Sequence, residues 1–228
     1  MYVNKVTAVD GLTGEERGRV TQADRRARTR AALLEAAARG LSRYGYANLV
    51  LEQVASEAGY TRGALYHLFD GKEELALAVV NWVQETWYAE VGPLLAGAAD
   101  PVAALAAVAR GHAIYCRRDV ARVMMTLRVE FSGQDHPVGR AVEDVVRRLV
   151  ADCTRLIAAG RQSGAIPPGP PARVLAGAYL GAVEGLVISI SGRAPDDVIL
   201  AERVALGLLG LAPGEDCDGP GEDCDGSA

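Results

Sequence analysis

Thr61, Arg62, Tyr66 and His67 fall within one stretch, GYTRGALYHLF (59 to 69), and carry the hydrogen-bond donors that a nucleic-acid duplex accepts. Arginine at the start of a short helix offers a forked pair of N–H groups to the acceptor edge of guanine. Thr61, Tyr66 and His67 can donate to phosphate oxygens, which sets position without reading sequence. Gly63 removes a side chain where the backbone must approach bases, and Lys72, at the next helix start, is placed for another phosphate. Upstream, Arg25, Arg26, Arg28 and Arg30 crowd one helix start, where positive charge opposes the helix macrodipole. A polyanion would offset that cost, with Arg25 and Arg28 as candidate contacts. Taken alone, the arginines fit a solvated helix face equally well, and Tyr66 and His67 fit the rim of a surface groove. The whole set together favours a duplex.

Side chains reach a groove only from a scaffold that holds them out of the core, and the apolar spacing describes one. TQAD, from Thr21, is a capping-box-like start, and Ala27, Ala31, Leu34, Ala38 and Leu41 recur on one face of a helix to about residue 44. Gly45 ends it. A second helix is expected over 48 to 58, with Leu51, Val54, Ala55 and Ala58 inward, until Gly59 breaks it. Thr61 then caps a short third helix through residue 69, anchored by Leu65, Leu68 and Phe69, so that Arg62, Gly63, Tyr66 and His67 face out. Two helices joined at a glycine, the second short and polar-faced, make a helix-turn-helix pattern.

Beyond Gly71 a longer helix begins, and more are expected at about 101 to 117, 119 to 131, 137 to 160, 171 to 191 and 196 to 211. The reading is all-α with about nine helices, in keeping with scarce aromatics and abundant Ala, Leu and Val. Four segments follow: a flexible arm (1 to 20), a helix-turn-helix domain (21 to 71), a ligand-binding and dimerisation domain (72 to 212) and a disordered acidic tail (213 to 228). The tail repeats GEDCDG and holds six acids, so the net charge of -5 is a property of the tail rather than of the body. Any nucleic-acid reading must therefore rest on local clustering.

No secretion signal opens the chain, and four cysteines without framework spacing fit a reducing cytoplasm. The apolar runs flanking Glu184 (174 to 190) are too short for a membrane span, so that segment is expected as a buried helix with no membrane partner.

Gly177, Gly181 and Gly185 form a smooth four-residue stripe on that helix, which suggests close approach by another helix. With the apolar segment 198 to 211, including Val204 and Leu208, they predict a four-helix interface between two copies; packing within one chain is the simpler alternative. A ligand cavity is sought where polar groups sit on apolar stripes. Trp82, Trp87 and Tyr88, then His112 and Cys116, then Met124, Met125, Arg128 and Phe131, and finally Glu184 are the candidates. A lone inward histidine is more often a satisfied core residue, and a methionine pair is usually packing.

From Thr29 to Leu77 the chain resembles the N-terminal domain of TetR-family (tetracycline-repressor-like) transcriptional regulators, most specifically in YGY, VASEAGYTRGALYHLF and KEEL. The resemblance implies a homodimeric DNA-binding protein, usually a repressor, released from its operator when a small molecule binds the larger domain; two reading helices suit a palindromic double-stranded site, and the cavity candidates suit a small, largely apolar effector. It also implies that Thr61, Arg62, Gly63, Tyr66, His67 and Lys72 touch DNA. Where the family often opens the second helix with two threonines, this chain has Leu49 and Val50, and Asn48 is expected to cap that helix instead. No cofactor, metal or catalytic residue is expected. The rival readings are a metal-responsive regulator using Cys217 and Cys224 of the tail, and a helical enzyme, for which His67, His112 and His136 supply no nucleophile motif.

Overall fold

The computed structural model describes residues 21–96, 100–120, 122–190 and 192–212. The arm and the acidic tail, with both of its cysteines, lie outside the described residues. Thr21 Oγ1 accepts the Asp24 amide at 3.1 Å while the Asp24 carboxylate accepts the Thr21 amide at 2.8 Å, so a complete capping box starts α1 (Gln22–Tyr44). Gly45 ends it at φ 75, in the left-handed region that favours glycine.

The next two helices are shorter than their apolar spacing predicts. Helix α2 (Leu51–Glu57) begins three residues late, because Asn48 Nδ2 donates back to Tyr44 O at 3.1 Å and leaves Val50 at the N-cap without a side-chain bond. Asn48 therefore does not cap it. Helix α3 (Arg62–Tyr66) is capped by Thr61, whose Oγ1 accepts the Ala64 amide at 3.2 Å. Its anchor is Leu65 and, in the turn beyond, Phe69, both solvent-inaccessible.

Then follow α4 (Lys72–Glu90), α5 (Gly92–Ala96), α6 (Pro101–Tyr115), α7 (Val123–Glu130), α8 (Pro137–Gln162), α9 (Ala172–Ile190) and α10 (Asp196–Leu208). Ten helices and no strand occur among the described residues, one helix more than the spacing suggests. The extra one, α5, is too short to show periodicity; its Leu94 and Leu95 pack on a cluster around Trp87, Val91 and Tyr115.

Two main cores form. The first joins α1 to α4 with α7 and α8 through Leu34, Leu65, Val79, Leu127 and Val142, so it spans both sides of residue 71. The second lies between α6, α8, α9 and α10 around Leu105, Ile157, Tyr179 and Ala205. Burying Tyr179 there costs little, because its hydroxyl donates to Leu105 O at 2.6 Å.

Helix α9 differs from its expectation. It is long and apolar enough to cross a membrane by length and composition, yet 28% of it is buried. One face packs on α8 and α10, and the other carries Gly177, Gly181 and Gly185, each with no atom within 4 Å of where a Cβ would stand. The glycines therefore serve no packing contact within one chain. Val174, Ile199 and Leu200 extend this open apolar face onto α10, with Val204 and Leu208 half-buried beside it.

Just past α6, Arg117 grips the inaccessible Asp197 carboxylate with two bonds, at 2.9 and 2.8 Å, and ties α6 to the first turn of α10. Those Arg117 bonds hold the Asp197 carboxyl below its ordinary 3.8, against the opposing effect of burial. A depressed carboxylate stabilises the fold fully above the unfolded-state value and loses that contribution as pH falls below it. Asp197→Asn is expected to lower the melting temperature by about 5 °C at pH 7. The gap should close toward pH 3, as measured by thermal melts across pH.

Candidate nucleic-acid interface and ligand pocket

On α3 the side chains of Arg62, Tyr66 and His67 lie exposed beside Gly63. A Cβ at Gly63 would meet only Thr61 Oγ1, at 3.8 Å, so nothing in the fold requires glycine there. Arg62 is not loose. Its guanidinium lies 5.3 Å from the Tyr66 ring centroid and its Nη1 sits 2.7 Å from Glu52 Oε1 on α2. Hydrogen bonding to Tyr66, then the Glu52 charge, raise its already high pKa. A guanidinium stacked on a ring keeps its outward edge for a partner and loses less freedom on binding.

Around α3 the other candidates take different roles. Thr61 uses its oxygen to cap α3 and retains its hydroxyl hydrogen. Lys72 Nζ donates to Ala47 O at 2.8 Å and lies 4.9 Å from the Tyr46 ring centroid, which spends one of its three donors inside the protein. Arg25 and Arg28 stand exposed on the first turns of α1, and Arg30 lies against the Phe69 ring at 5.6 Å. Asn48 is exposed and bonded to Tyr44. Leu49 is a core residue, whereas Val50 is 42% exposed.

Between α4, α6, α7, α8 and α9 lies a cleft with about 850 Å³ of empty space, counting the part open to solvent. It brings together Trp87, His112, Met124, Arg128 and Glu184 from the sequence candidates. Cys116 and Met125 line a smaller neighbouring recess that shares His112 and Glu184. Trp82 and Phe131 lie elsewhere. Trp82 packs on the first core and borders a surface groove, while Phe131 stacks on His136 at 4.3 Å and meets Tyr46 edge-on at 5.2 Å. Periodicity placed both rings inward but not toward the same cavity, since a helical stripe gives a direction without saying which neighbour it meets. Tyr88, a sequence candidate, lines the cleft as well, whereas Tyr115, Tyr179 and Leu180 also line it and carried no distinguishing spacing.

The polar tips of these rings are committed to the protein. Trp87 Nε1 donates to His112 Nδ1 at 3.0 Å, Tyr88 to Asp152 at 3.2 Å, and the Tyr115 hydroxyl lies 2.8 Å from Thr86 Oγ1. Apart from the Gln84 amide and one charged pair, what the cleft presents is ring faces and aliphatic groups. Its charged side chains are Arg128 and Glu184, 4.0 Å apart, too far for a hydrogen bond between them. Burial raises the Glu184 carboxyl above its ordinary value, partly countered by Arg128. Burial likewise pushes His112 down to about 4, so its ring is neutral and accepts from Trp87. Its ring NMR shifts are expected to stay constant from pH 8 to 5; a transition near 6.5 would refute a desolvated ring.

The family model described as bacterial regulatory proteins, tetR family, matches residues 33–79. Over these residues the chain is similar to the TetR family. Over 58 residues the chain is 43% identical to the HTH-type transcriptional regulator TtgR of Pseudomonas putida, an alignment that covers 25% of this chain and 28% of TtgR. The chain thus aligns with less than a third of that relative's length. Beyond that region the chain shares its fold with solved structures. AibR in complex with isovaleryl coenzyme A and operator DNA superposes with a TM-score of 0.63 at 22% identity, over 81% of this chain and 97% of that one. FadR of Bacillus subtilis in complex with stearoyl-CoA superposes at 0.65 and 18% identity, over 78% and 97%.

Proposed function

We propose that the chain is a homodimeric transcriptional repressor that binds a palindromic operator in the cytoplasm and leaves it when a small, largely apolar ligand fills the cleft. The observation that carries this reading is the exposed α3 face, where Arg62 is stacked and aimed outward while Leu65 and Phe69 hold the helix to the core. Residues 21 to 71 serve as the DNA-binding domain and 72 to 212 as the ligand-binding and dimerisation domain. Thr61, Arg62, Gly63, Tyr66, His67 and Lys72 contact the duplex, helped by Arg25, Arg28 and Asn48. The solved relatives support the pairing of the two activities, since AibR was captured with both operator DNA and a coenzyme A ester.

Ligand character follows from the walls of the cleft. With the ring hydroxyls and the indole N–H already bonded, the occupant gains most from apolar contact and finds its polar anchors at Gln84, Arg128 and Glu184. The open face of α9 and α10 is assigned to a second copy, because three glycines with no neighbour let another helix approach closely. Two reading helices would then lie about 34 to 36 Å apart, or a multiple of that, on the operator.

The test is selection of bound fragments from random duplex DNA by the full-length chain, followed by a screen of apolar compounds for release. An enriched palindrome released by one compound class is the expected result. A folded protein that enriches no sequence would sink the reading.

A further inference from the structure

The turn between α1 and α2 is held from outside the DNA-facing unit. Glu130, the last residue of α7, accepts the Tyr46 backbone N–H on Oε2 and the Ala47 N–H on Oε1, both at 2.6 Å. Gly45 admits the carboxylate, since a Cβ there would lie 2.7 Å from Oε2. Charge-assisted bonds to two adjacent amides are strong and directional, so they fix where the turn sits relative to α7. On its other side the same turn serves the candidate interface: Ala47 O receives Lys72, which also lies over the Tyr46 ring.

Helix α7 joins this clasp to the cleft. It is eight residues long, about 12 Å, with Met124 and Arg128 lining the cleft and Glu130 at its end. Val123 and Leu127 bury its remaining side in the first core. A ligand that presses on Met124 or Arg128 pushes a short rod, and a shift of about 1 Å takes both 2.6 Å bonds beyond normal hydrogen-bond range. Tightly packed elements move between discrete arrangements rather than deforming gradually, which suits a contact that is either made or broken.

We propose that Glu130 is the positioning residue that couples the cleft to the DNA face, passing a displacement of α7 to the 45–47 turn and so to Lys72. This rests on the reading of the chain as a ligand-released DNA binder. Nothing in the coupling needs Glu130 to touch either partner.

The test is a double-mutant cycle on the full-length chain, with a duplex fragment selected by the wild type as probe. Val146→Trp, which projects into the cleft from α8, stands in for an occupant, and Leu149→Trp replaces it if the first variant does not fold. In the wild-type background the filled cleft is expected to weaken DNA binding about tenfold. In a Glu130→Gln background, itself weaker than wild type, the same filling is expected to change affinity less than twofold. Hydrogen exchange supplies an independent readout: filling the cleft should speed exchange of the Tyr46 and Ala47 amides about tenfold and leave the middle of α1 unchanged. Effects that simply multiply, or a filled cleft that alters neither DNA affinity nor these two amides, overturn the coupling. A wild-type chain that selects no duplex sinks the underlying reading instead, and the amide exchange still decides the clasp.

Discussion

Gly181→Arg is expected to convert the protein to a folded monomer and to weaken operator binding by at least about 100-fold. The site is open on its own chain, since a Cβ at that position would meet nothing beyond its own helix backbone within 4 Å. Its effect therefore falls on whatever covers the α9 and α10 face, where Val174 is 61% and Ile199 45% exposed. A guanidinium placed between two closely packed helices would be buried without a partner, which dimer association cannot absorb. Loss of the second reading helix then removes the gain from binding two half-sites together, on the order of 10² to 10⁴ in affinity. Sedimentation velocity and a DNA titration on the same sample decide the matter. A dimer of unchanged operator affinity would place the interface elsewhere.

Arg62→Ala ranks second. A forked arginine contact to guanine discriminates against other bases by about 10- to 100-fold, and that is the expected loss on the selected operator. The competing contact inside the protein is the Glu52 pair, with both side chains half or more exposed, and pairs this exposed contribute little. The pair is therefore expected to release the guanidinium to DNA. Binding to unrelated duplex should fall far less than binding to the operator, since unrelated sequence is held mainly by phosphate contacts. Tyr66→Phe should produce a smaller loss in the same assay by removing a hydroxyl while keeping the ring beneath Arg62. Equal losses on both DNAs would reassign Arg62 to the backbone.

The helix-turn-helix was legible because its signals are local. Thr21 with Asp24 and Thr61 with Ala64 are bonds between residues three apart, and the breaks at Gly45 and Gly59 are written into single positions. The limits of α2 were not legible, because Asn48 had two local options and bonds back to Tyr44 rather than forward. The cleft was half legible. His112 and Trp87 stand 25 residues apart and meet only through the packing of α4 on α6, and nothing in periodicity separates Met124 from Met125. Least visible was Glu130. Its partners lie 83 and 84 residues away and are backbone amides, which carry no residue type for a pattern to find.

The brevity of α3 has a consequence for how this protein could change targets. Five residues form the helix, and its hold on the molecule comes from Leu65 and Phe69. Gly63, Tyr66 and His67 can be exchanged without reopening the interior, so a library randomised at these outward sites should retain folded members at high frequency. Retargeting to a new promoter is then a matter of decorating a surface, and the machinery behind it can be inherited unchanged.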